Sequence, residues 1–404
     1  MAPTPDPSPP DPGYSLRLFI CCAAAFGCYF GTYMRMPVVP LYAQSLGASP
    51  VAVGLINASF LLTAGGLSFP AGLLADRWGA KFLVAFGTAV LAASSLALGV
   101  GQTPSQLMLI SLAAGVGFAA FGPTLMTLVA NFTPATHLGR AYGWYTTALY
   151  TGMSLGPATG GWVAQAWGPV PSFYLAGLAL IIMLALVLAF LPKPSPLLPR
   201  PEPHPHLDAG SRRLIIHNRP LLGAWLATLG GCFGLGMFLT FLPLHAHLQG
   251  LTVQQIGMVF AVQGLVNAAT RFPFGHLSDH CRDRRSLVVW GVVGIAASEV
   301  GLGAARHLTE FLVGAVAMGV SMGLAFTSIG ALIAETVAPE NRGLAMGGYN
   351  TCIYLGMMAS SALMGPAIER WGYQAGFAAA GGVLLLSLVG FRSLMRHFSP
   401  PPRV

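Results

Sequence analysis

The sequence predicts an all-α membrane protein with twelve transmembrane helices in two pseudo-symmetric six-helix bundles. Three observations lead to this fold class: a composition poor in charge, apolar segments of membrane-spanning length, and an internal repeat. Of the 404 residues, 54% are hydrophobic and 8% are charged, whereas a soluble domain has about 25% charged residues. So few charges cannot cover a surface that faces water, and most of the exterior must therefore face lipid.

The apolar segments are each long enough to cross the ~30 Å core of a bilayer as a helix of ~20 residues. They are continuously apolar rather than alternating, which excludes a transmembrane β-barrel. The predicted spans are 16–41, 51–74, 82–101, 106–130, 139–165, 170–191, 220–244, 253–275, 286–303, 309–334, 343–368 and 373–394.

These spans divide the chain into five segments. Residues 1–15 are proline-rich, are expected to be disordered, and lack the basic region and cleavage site of a signal peptide. Residues 16–192 form the first bundle and 220–396 the second. They are joined by a proline-rich linker, 193–219, which is expected to be semi-extended, and 397–404 form a tail.

The basic residues set the orientation. Most lie in the linker and in the loops on the same side of the membrane, and the opposite loops contain only Arg306 and Arg370. By the positive-inside rule, both termini and the linker are cytoplasmic, in a multi-pass protein of the cell inner membrane. The formal net charge of +8 reflects this bias, so we expect a bilayer and a small-molecule substrate as partners, no nucleic acid, and a monomer.

The two halves repeat. The stretch FPAGLLADRWG at 69–79 corresponds to FPFGHLSDHCR at 272–282, with an offset of 203 residues between Asp76 and Asp279 (279 − 76). Further along, Trp167-Gly168 recurs as Trp371-Gly372 at an offset of 204 (372 − 168). Parallel repeats of this kind enclose a midplane site that is exposed to either side in turn.

The loop after the second span contains a motif, G-x-L-a-D-r-x-G-r-k, with Gly72, Asp76, Arg77 and Lys81 in place and Ala80 as its one departure. This motif resembles the loop signature of the major facilitator superfamily, and the likeness covers nearly the whole chain. The resemblance implies a charge latch that holds one conformation, and a static loop staple is the alternative. We assign the same conformational role to three further residues, Arg271, Asp279 and Glu335.

Two further motifs narrow the family. Span five has the pattern G-x8-G-x3-G-P-x2-G-G, in Gly143, Gly152, Gly156-Pro157 and Gly160-Gly161, and the first span has G-x5-P-v-x-P from Gly31. Both resemble motifs of the twelve-helix drug:proton antiporters. Small residues permit close helix packing and proline kinks a helix, so span five is a candidate hinge. The family's fourth-span arginine is replaced by Ser111, which puts the usual proton-coupling scheme in doubt.

Arg35 is the main candidate for substrate binding. It lies in the first span, aligns with Phe238 in the repeat (238 − 35 = 203), and is not required by the motif around it. An ionisable group in a membrane span is a functional hypothesis by default, and the resemblance places the first span along the cavity. The alternative is that Arg35 reaches outward to the headgroups.

Polar residues of other spans are further cavity candidates. Gln263, Asn267 and Arg271 share one helix face because they are four residues apart, although buried amides also join helices without touching a substrate. The remaining candidates are Tyr33, Asn57, Tyr150, Asn350 and Tyr354.

Two residues are candidates for proton coupling. Glu299 in span nine is a carboxyl group in an apolar segment, where burial favours the protonated form; a packing or interfacial role is equally open. His245 near the end of span seven titrates in the physiological range when unperturbed, with an ordinary interfacial histidine as the alternative.

These observations predict a secondary transporter, an exporter of small organic molecules driven by an ion gradient, with protons as the expected ion and no cofactor. Uptake or facilitated diffusion of a sugar, metabolite, organic anion or lipid-like solute is the alternative on the same fold, and a membrane receptor is the alternative of another class. The sequence contains no catalytic triad pattern, metal-ligand cluster or phosphate-binding loop, so we expect no enzyme.

Overall fold

The computed structural model describes residues 14–134, 137–191, 218–281, 283–338 and 341–396, apart from the side chains of Tyr14 and Asp76. The predicted tail, nearly all of the predicted linker and most of the N-terminal segment lie outside the described residues. The described chain is almost entirely helical.

Seven helices make up the first half: α1 (Tyr14–Met34), α2 (Val38–Ser45), α3 (Pro50–Trp78), α4 (Ala80–Leu98), α5 (Pro104–Phe132), α6 (Leu138–Trp167) and α7 (Pro169–Phe190). Five make up the second half: α8 (Arg219–Leu248), α9 (Val253–His280), α10 (Arg284–Ala304), α11 (Leu308–Thr336) and α12 (Arg342–Leu394). Nine helical segments of the described chain are long and apolar enough to cross a membrane, and α6 and α9 add two less apolar spans of similar length.

Two glycines explain how spans are divided. Gly372 has φ 79° and ψ 171°, which is not helical, and it breaks α12 into a first arm (342–371) and a second arm (373–394). Gly168, at φ 91° and ψ 170°, separates α6 from α7 in the same way. Residues with a Cβ rarely adopt this left-handed backbone, so the repeated Trp-Gly pair marks the same corner in both halves. With the two arms of α12 counted separately and α1 and α2 as one, the fold has the twelve predicted spans.

The first span is not a continuous helix, in contrast to the single span predicted over 16–41. A turn at Arg35–Pro37 separates α1 from α2, with Val39 N donating to Arg35 O at 2.9 Å. Pro37 has no backbone N–H to give, so the helical ladder is interrupted there. The break turns α2 toward the second half, where it contacts α8.

The boundaries of the helices reproduce the repeat. α5 and α11 begin at residues 104 and 308 and end at 132 and 336, an offset of 204 at both ends (308 − 104 and 336 − 132). α7 matches the second arm of α12 by the same offset, 169 to 373 and 190 to 394. The duplication read from glycines and aromatics is therefore also a duplication of whole helices.

Within each half, neighbouring helices pack through small residues, as between α1 and α6 or α9 and α11. Across the halves, the main contacts join α6 to α9 and α3 to α12. We call the face that holds residues 14, 219 and 394 the terminal face and the opposite one the distal face.

The halves meet near the distal face and part toward the terminal face. At the distal ends, a Cβ added to Gly365 would lie 2.7 Å from Val51 Cα, and one added to Gly161 would lie 2.6 Å from Val253 O. Toward the terminal face, a Cβ on Gly143 or Gly347 would meet nothing within 4 Å. The closest backbone contacts between the halves at these glycines therefore lie toward the distal face.

Candidate functional site

A cavity of about 50 Å³ lies where the turn at Arg35 and helices α2, α3, α4, α5 and α8 converge. Most of its lining is apolar, including Phe60 and Leu239, and its polar side chains are Arg35, Asn57 and Ser111. The turn that interrupts the first span is what brings Arg35 to this place, because it redirects the chain between α1 and α2.

Arg35 is 6% exposed, and its Nη1 donates to Ser95 Oγ of α4 at 3.5 Å. Burial of this extent does not fit an arginine that extends to the lipid headgroups, which was the alternative. The long bond to one hydroxyl satisfies little of a guanidinium group, which has five N–H donors. Arg35 is therefore a buried cation with donors to spare beside a cavity.

Arg35 shares its cavity with Ser111. Ser111 occupies the fourth-span position at which the family resemblance leads one to expect an arginine. The first half thus does have a guanidinium group at this cavity, but it comes from the first span and not from the fourth.

A second cation lies between the halves. The Arg271 guanidinium carbon is 4.7 Å from the centre of the Tyr150 ring, so that α9 of the second half contacts α6 of the first. Arg271 Nε is buried with no hydrogen-bond partner. A cation over an aromatic face is favourable and still leaves the donors at the edge of the guanidinium available to a ligand.

Of the three tyrosines predicted to line the cavity, Tyr150 contacts this arginine, and none is among the residues that line the cavity at Arg35. Tyr33 packs against Tyr29 with ring centres 6.2 Å apart, and both are within interaction range of Tyr150 and Tyr354. Tyr354 also crosses between the halves, because a Cβ added to Gly65 of α3 would lie 2.5 Å from its Cβ. The four rings give the centre of the protein an aromatic wall.

The predicted amides have different surroundings. Asn57 Nδ2 donates to Thr240 Oγ1 at 2.6 Å and to Ser361 Oγ at 3.0 Å, across the two halves. Gln263 Nε2 lies 3.1 Å from Met322 Sδ of α11, and Asn267 Oδ1 is buried without a partner. Asn350 is exposed. Asn57 therefore joins the halves, whereas Asn267 keeps an unused acceptor.

Glu299 and His245 are both buried. Glu299 is 0% exposed, neither of its carboxyl oxygens has a hydrogen-bond partner, and Oε1 lies 3.4 Å from where a Cβ of Gly234 would be. His245 lies among Phe311, Tyr373 and Phe377, each with its ring centre 5.6 Å away. Both side chains belong to the interior of the second half, away from the cavity at Arg35.

The Major Facilitator Superfamily sequence profile matches residues 21–253 and 246–404, which together are nearly the whole chain. The chain belongs to the major facilitator superfamily.

Relatives and solved structures agree with this assignment. The chain is 23% identical over 352 residues to an uncharacterized MFS-type transporter of Methanocaldococcus jannaschii, covering 86% of this chain and 90% of that protein. It is 28% identical over 258 residues to Multidrug resistance protein 1 of Bacillus subtilis, covering 64% of this chain and 65% of that protein. It is 27% identical over 178 residues to Quinolone resistance protein NorA of Staphylococcus aureus, covering 44% and 46%.

Among solved structures, a bacterial homologue of the human lysosomal transporter Spinster, in an inward-facing and unoccupied conformation, matches with a TM-score of 0.78 at 14% identity and covers 98% of this chain and 100% of that one. The nucleoside transporter NupG matches with a TM-score of 0.77 at 15% identity, covering 94% and 99%. These likenesses confirm the fold. The prediction of a major facilitator fold and of resemblance to its multidrug members is confirmed.

In this transporter, the loop motif of the second half holds an ionic cluster. Arg284 donates to Asp279 Oδ1 at 2.9 Å and to Glu335 Oε1 at 2.9 Å, and so connects the ends of α9, α10 and α11 at the terminal face. In the first half, the side chain of Asp76 lies outside the described part of the structure, Arg77 is exposed, and Lys81 Nζ donates to Leu188 O at 2.8 Å. Gly72 has open space beside it.

The glycines of the span-five motif lie where backbones meet. A Cβ on Gly152 or Gly156 would lie 2.5 Å from Phe26 O or 2.6 Å from Phe30 O of α1, and Gly160 packs on Met34 in the same way. Pro157 and Gly161 instead approach α9 at Gly257 and Val253. One face of the motif holds α6 to its own half, and the other forms the contact between halves.

Sequence reasoning missed the partners of these residues. Arg284 was counted only as a loop charge, although it follows Asp279 by five residues and stands where Ala80 breaks the loop motif in the first half. Ser95, Thr240 and Ser361 carried no signal, because hydroxyl groups are common in membrane helices and their partners are distant in the sequence.

Proposed function

We propose that this transporter is a proton-coupled exporter of small neutral or anionic organic molecules that works by alternating access. The observation that carries the proposal is the chemistry of the cavity. Its polar lining includes the buried cation Arg35, and none of the lining residues that the structure describes is acidic. A buried cation attracts an anionic or hydrogen-bond-accepting solute and repels a lipophilic cation.

Arg271 supports the same substrate class. It lies over Tyr150 where the halves part, so a solute that enters from the terminal face passes a second guanidinium before it reaches Arg35. The aromatic wall of Tyr33, Tyr150 and Tyr354 would contact the apolar part of such a solute.

The proposed direction of transport, export, is supported by two observations. Two of the relatives have names that describe multidrug and quinolone resistance, and the basic residues indicate the orientation of the chain. The basic residues of the terminal face support its assignment as the cytoplasmic face by the positive-inside rule. Close packing of the halves at the distal face would then leave the cytoplasmic side for loading of an exported solute. Proton coupling would use Glu299, a buried carboxyl group that changes its charge only when it exchanges a proton.

The proposal is tested by a thermal-unfolding screen of the purified protein with anionic, neutral and cationic organic solutes. A compound that binds the folded state raises the melting temperature. Each hit is retested on Arg35→Gln, on the charge-preserving Arg35→Lys, and on Arg140→Gln as a matched loss of an exposed arginine.

We expect anionic hits to bind Arg35→Gln about 10- to 100-fold more weakly, since a hydrogen bond to a charged group contributes ~1.5–3 kcal/mol. Arg140→Gln should bind them as the parent does. Hits that are mainly cationic, or anionic hits that bind Arg35→Gln as tightly as the parent, would refute the proposed substrate class. Export from vesicles that persists after the proton gradient is collapsed would refute proton coupling.

A further inference from the structure

A groove at the terminal face lies outside the transport site, between α10 and the second arm of α12. It has a volume of about 390 Å³ and is lined by three arginines, Arg285, Arg392 and Arg396, and by one acid, Asp283. Both helices belong to the second half, and neither lines the cavity at Arg35.

The charge of the groove is positive. Asp283 accepts from Arg285 Nε at 2.7 Å. Burial alone would raise the pKa of Asp283, but hydrogen bonds and attraction from Arg285 outweigh it and hold this pKa below its usual value. Asp283 therefore offsets one arginine at neutral pH. Arg392 and Arg396 are exposed, and neither makes an ion pair with an acid of the described chain.

The groove is apolar on the side toward the membrane. Leu385 and Val389, exposed at 47% and 67%, lie on the same face of α12 as Arg392, because the three residues follow a spacing of i, i+4 and i+7, and Arg396 lies just beyond the end of this helix. On α10, Trp290 is 69% exposed and lines the groove with Val293. Tryptophan in a membrane helix favours the level of the headgroups.

The corresponding place in the first half has a different composition. At the offset of 204, Arg392 corresponds to Leu188 (392 − 204) and Arg285 to Lys81 (285 − 204). Lys81 is already bonded to Leu188 O, and Leu188 is exposed to the surroundings. Arg285 Nη1 likewise donates to Met395 O at 3.3 Å, so a basic residue with this role is common to both halves, whereas Arg392 occurs only in the second half.

We propose that this groove binds the headgroup of an anionic phospholipid from the surrounding leaflet, with its phosphate at Arg392 and Arg396 and its acyl chains along Trp290, Val293 and Val389. Basic pockets between membrane helices bind anionic headgroups in this way. The arginines alone would serve any soluble anion. The apolar ridge directly beneath them selects a ligand that has both a phosphate and a hydrocarbon tail.

The test uses the full-length purified protein and dioctanoyl phosphatidylglycerol as the probe, with the thermal midpoint as the readout. Dioctanoyl phosphatidylcholine tests for a zwitterionic headgroup, and glycerol 3-phosphate tests for a phosphate without chains. We expect the phosphatidylglycerol alone to raise the midpoint. Arg392→Gln/Arg396→Gln should need about 30-fold more of it for the same shift, since each basic residue contributes ~1 kcal/mol to attraction of an anionic lipid.

The matched control is Arg140→Gln/Arg342→Gln, which removes two exposed arginines of the same face outside the groove. It should respond to phosphatidylglycerol as the parent does. If both double variants lose the response equally, the effect is a diffuse surface charge and the site is refuted. Equal shifts with phosphatidylcholine or with glycerol 3-phosphate would also refute it. Should the groove double variant fail to fold, Arg392→Gln alone is expected to weaken the response about fivefold, and an unchanged response overturns the proposal.

Discussion

The two halves of the molecule share a scaffold and differ in their ionisable groups. Glycines and prolines recur at an offset of 203 or 204 residues, and so do the ends of several helices. Some charged residues recur, as Asp76 does at Asp279, but in many pairs an ionisable group of one half corresponds to a neutral group of the other. Five of these pairs are Arg35 and Phe238, Ser95 and Glu299, Ala80 and Arg284, Asn131 and Glu335, and Leu188 and Arg392.

One of these differences is a reciprocal exchange at a single place. In the first half, α1 supplies Arg35 and α4 supplies the hydroxyl of Ser95 that it contacts. In the second half, α8 supplies Phe238, and α10 supplies Glu299. Each half thus has one buried ionisable group where these helices meet, a base in the first half and an acid in the second, from opposite helices.

The comparison separates two kinds of constraint. Where backbones approach each other, a side chain would collide in either half, so the glycines are retained in both. A charge buried in an apolar interior contributes nothing to packing and is costly to keep, so a group that occurs in only one half is there for a task that only that half performs. We therefore expect substitutions of shared residues to impair the conformational cycle and substitutions of unshared ones to alter specific functions.

The largest effect is expected at the shared glycines of the distal contact. Gly161→Leu and Gly365→Leu, which correspond by the offset of 204 (365 − 161), each place a side chain against the backbone of the other half. Overpacking costs ~1–3 kcal/mol. This cost lowers the ratio of the conformation closed at the distal face to the conformation open there by up to about 100-fold. The distance between spin labels at Gln102 and Arg306, in the distal loops of the two halves, should increase by pulsed electron paramagnetic resonance.

The control for this prediction is Gly301→Leu, because a Cβ at Gly301 meets nothing within 4 Å. It should leave the label distance as in the parent. An increase for only one of the two distal variants would show that the halves are not equivalent at their contact, and the shared-scaffold interpretation would be wrong.

The fold could be predicted from the sequence because its determinants are local or periodic. Continuous apolar segments define spans, and the recurrence of motifs such as Trp167-Gly168 defines the repeat. The break in the first span was missed, although Pro37 was in view. A proline does not always interrupt a helix: Pro37 does, whereas Pro157 lies within α6. Which of the two occurs depends on the helices that pack against the segment after the proline.

The site was less predictable because it depends on the rotation of each helix. Arg35 was identified from its chemistry alone, since few charges occur in membrane spans. Asn57 was predicted to line the cavity, and it does so, but its donors are occupied by Thr240 and Ser361. Nothing in a single sequence indicates which residues lie opposite an amide across two halves of a protein.

A smaller effect is expected at the ionic cluster of the second half. Arg284→Ala removes the partner that Asp279 and Glu335 share. The Arg284 and Glu335 side chains are only 12% and 19% exposed, so this ion pair lies in a poorly hydrated place. The loss of a charge-assisted hydrogen bond of this kind should lower the free energy of unfolding by ~1.5–3 kcal/mol, measured by thermal unfolding in detergent.

The corresponding change in the first half is Asn131→Ala, since Asn131 stands where the second half has Glu335. Asn131 is exposed, and we expect a change within about 0.5 kcal/mol. Equal losses of unfolding free energy from Arg284→Ala and Asn131→Ala would mean that both halves are stabilised alike at the terminal face. The ionic cluster at Arg284 would then not act as a latch.

The smallest effect is expected at Glu299, and it has the opposite sign. Burial of two carboxyl oxygens without partners is unfavourable even in the neutral form, so Glu299→Met, which keeps the volume and removes the oxygens, should raise the free energy of unfolding by ~1–2 kcal/mol. Ser95→Ala at the corresponding position should not, because the Ser95 hydroxyl is already bonded to Leu91 O at 2.9 Å.

If Glu299 carries the proton, the stabilised variant will no longer accumulate solute against a gradient in proteoliposomes while still exchanging it. A variant that is both more stable and still driven by the proton gradient would show that Glu299 is a packing residue, and the difference between the halves at this place would then have no role in coupling.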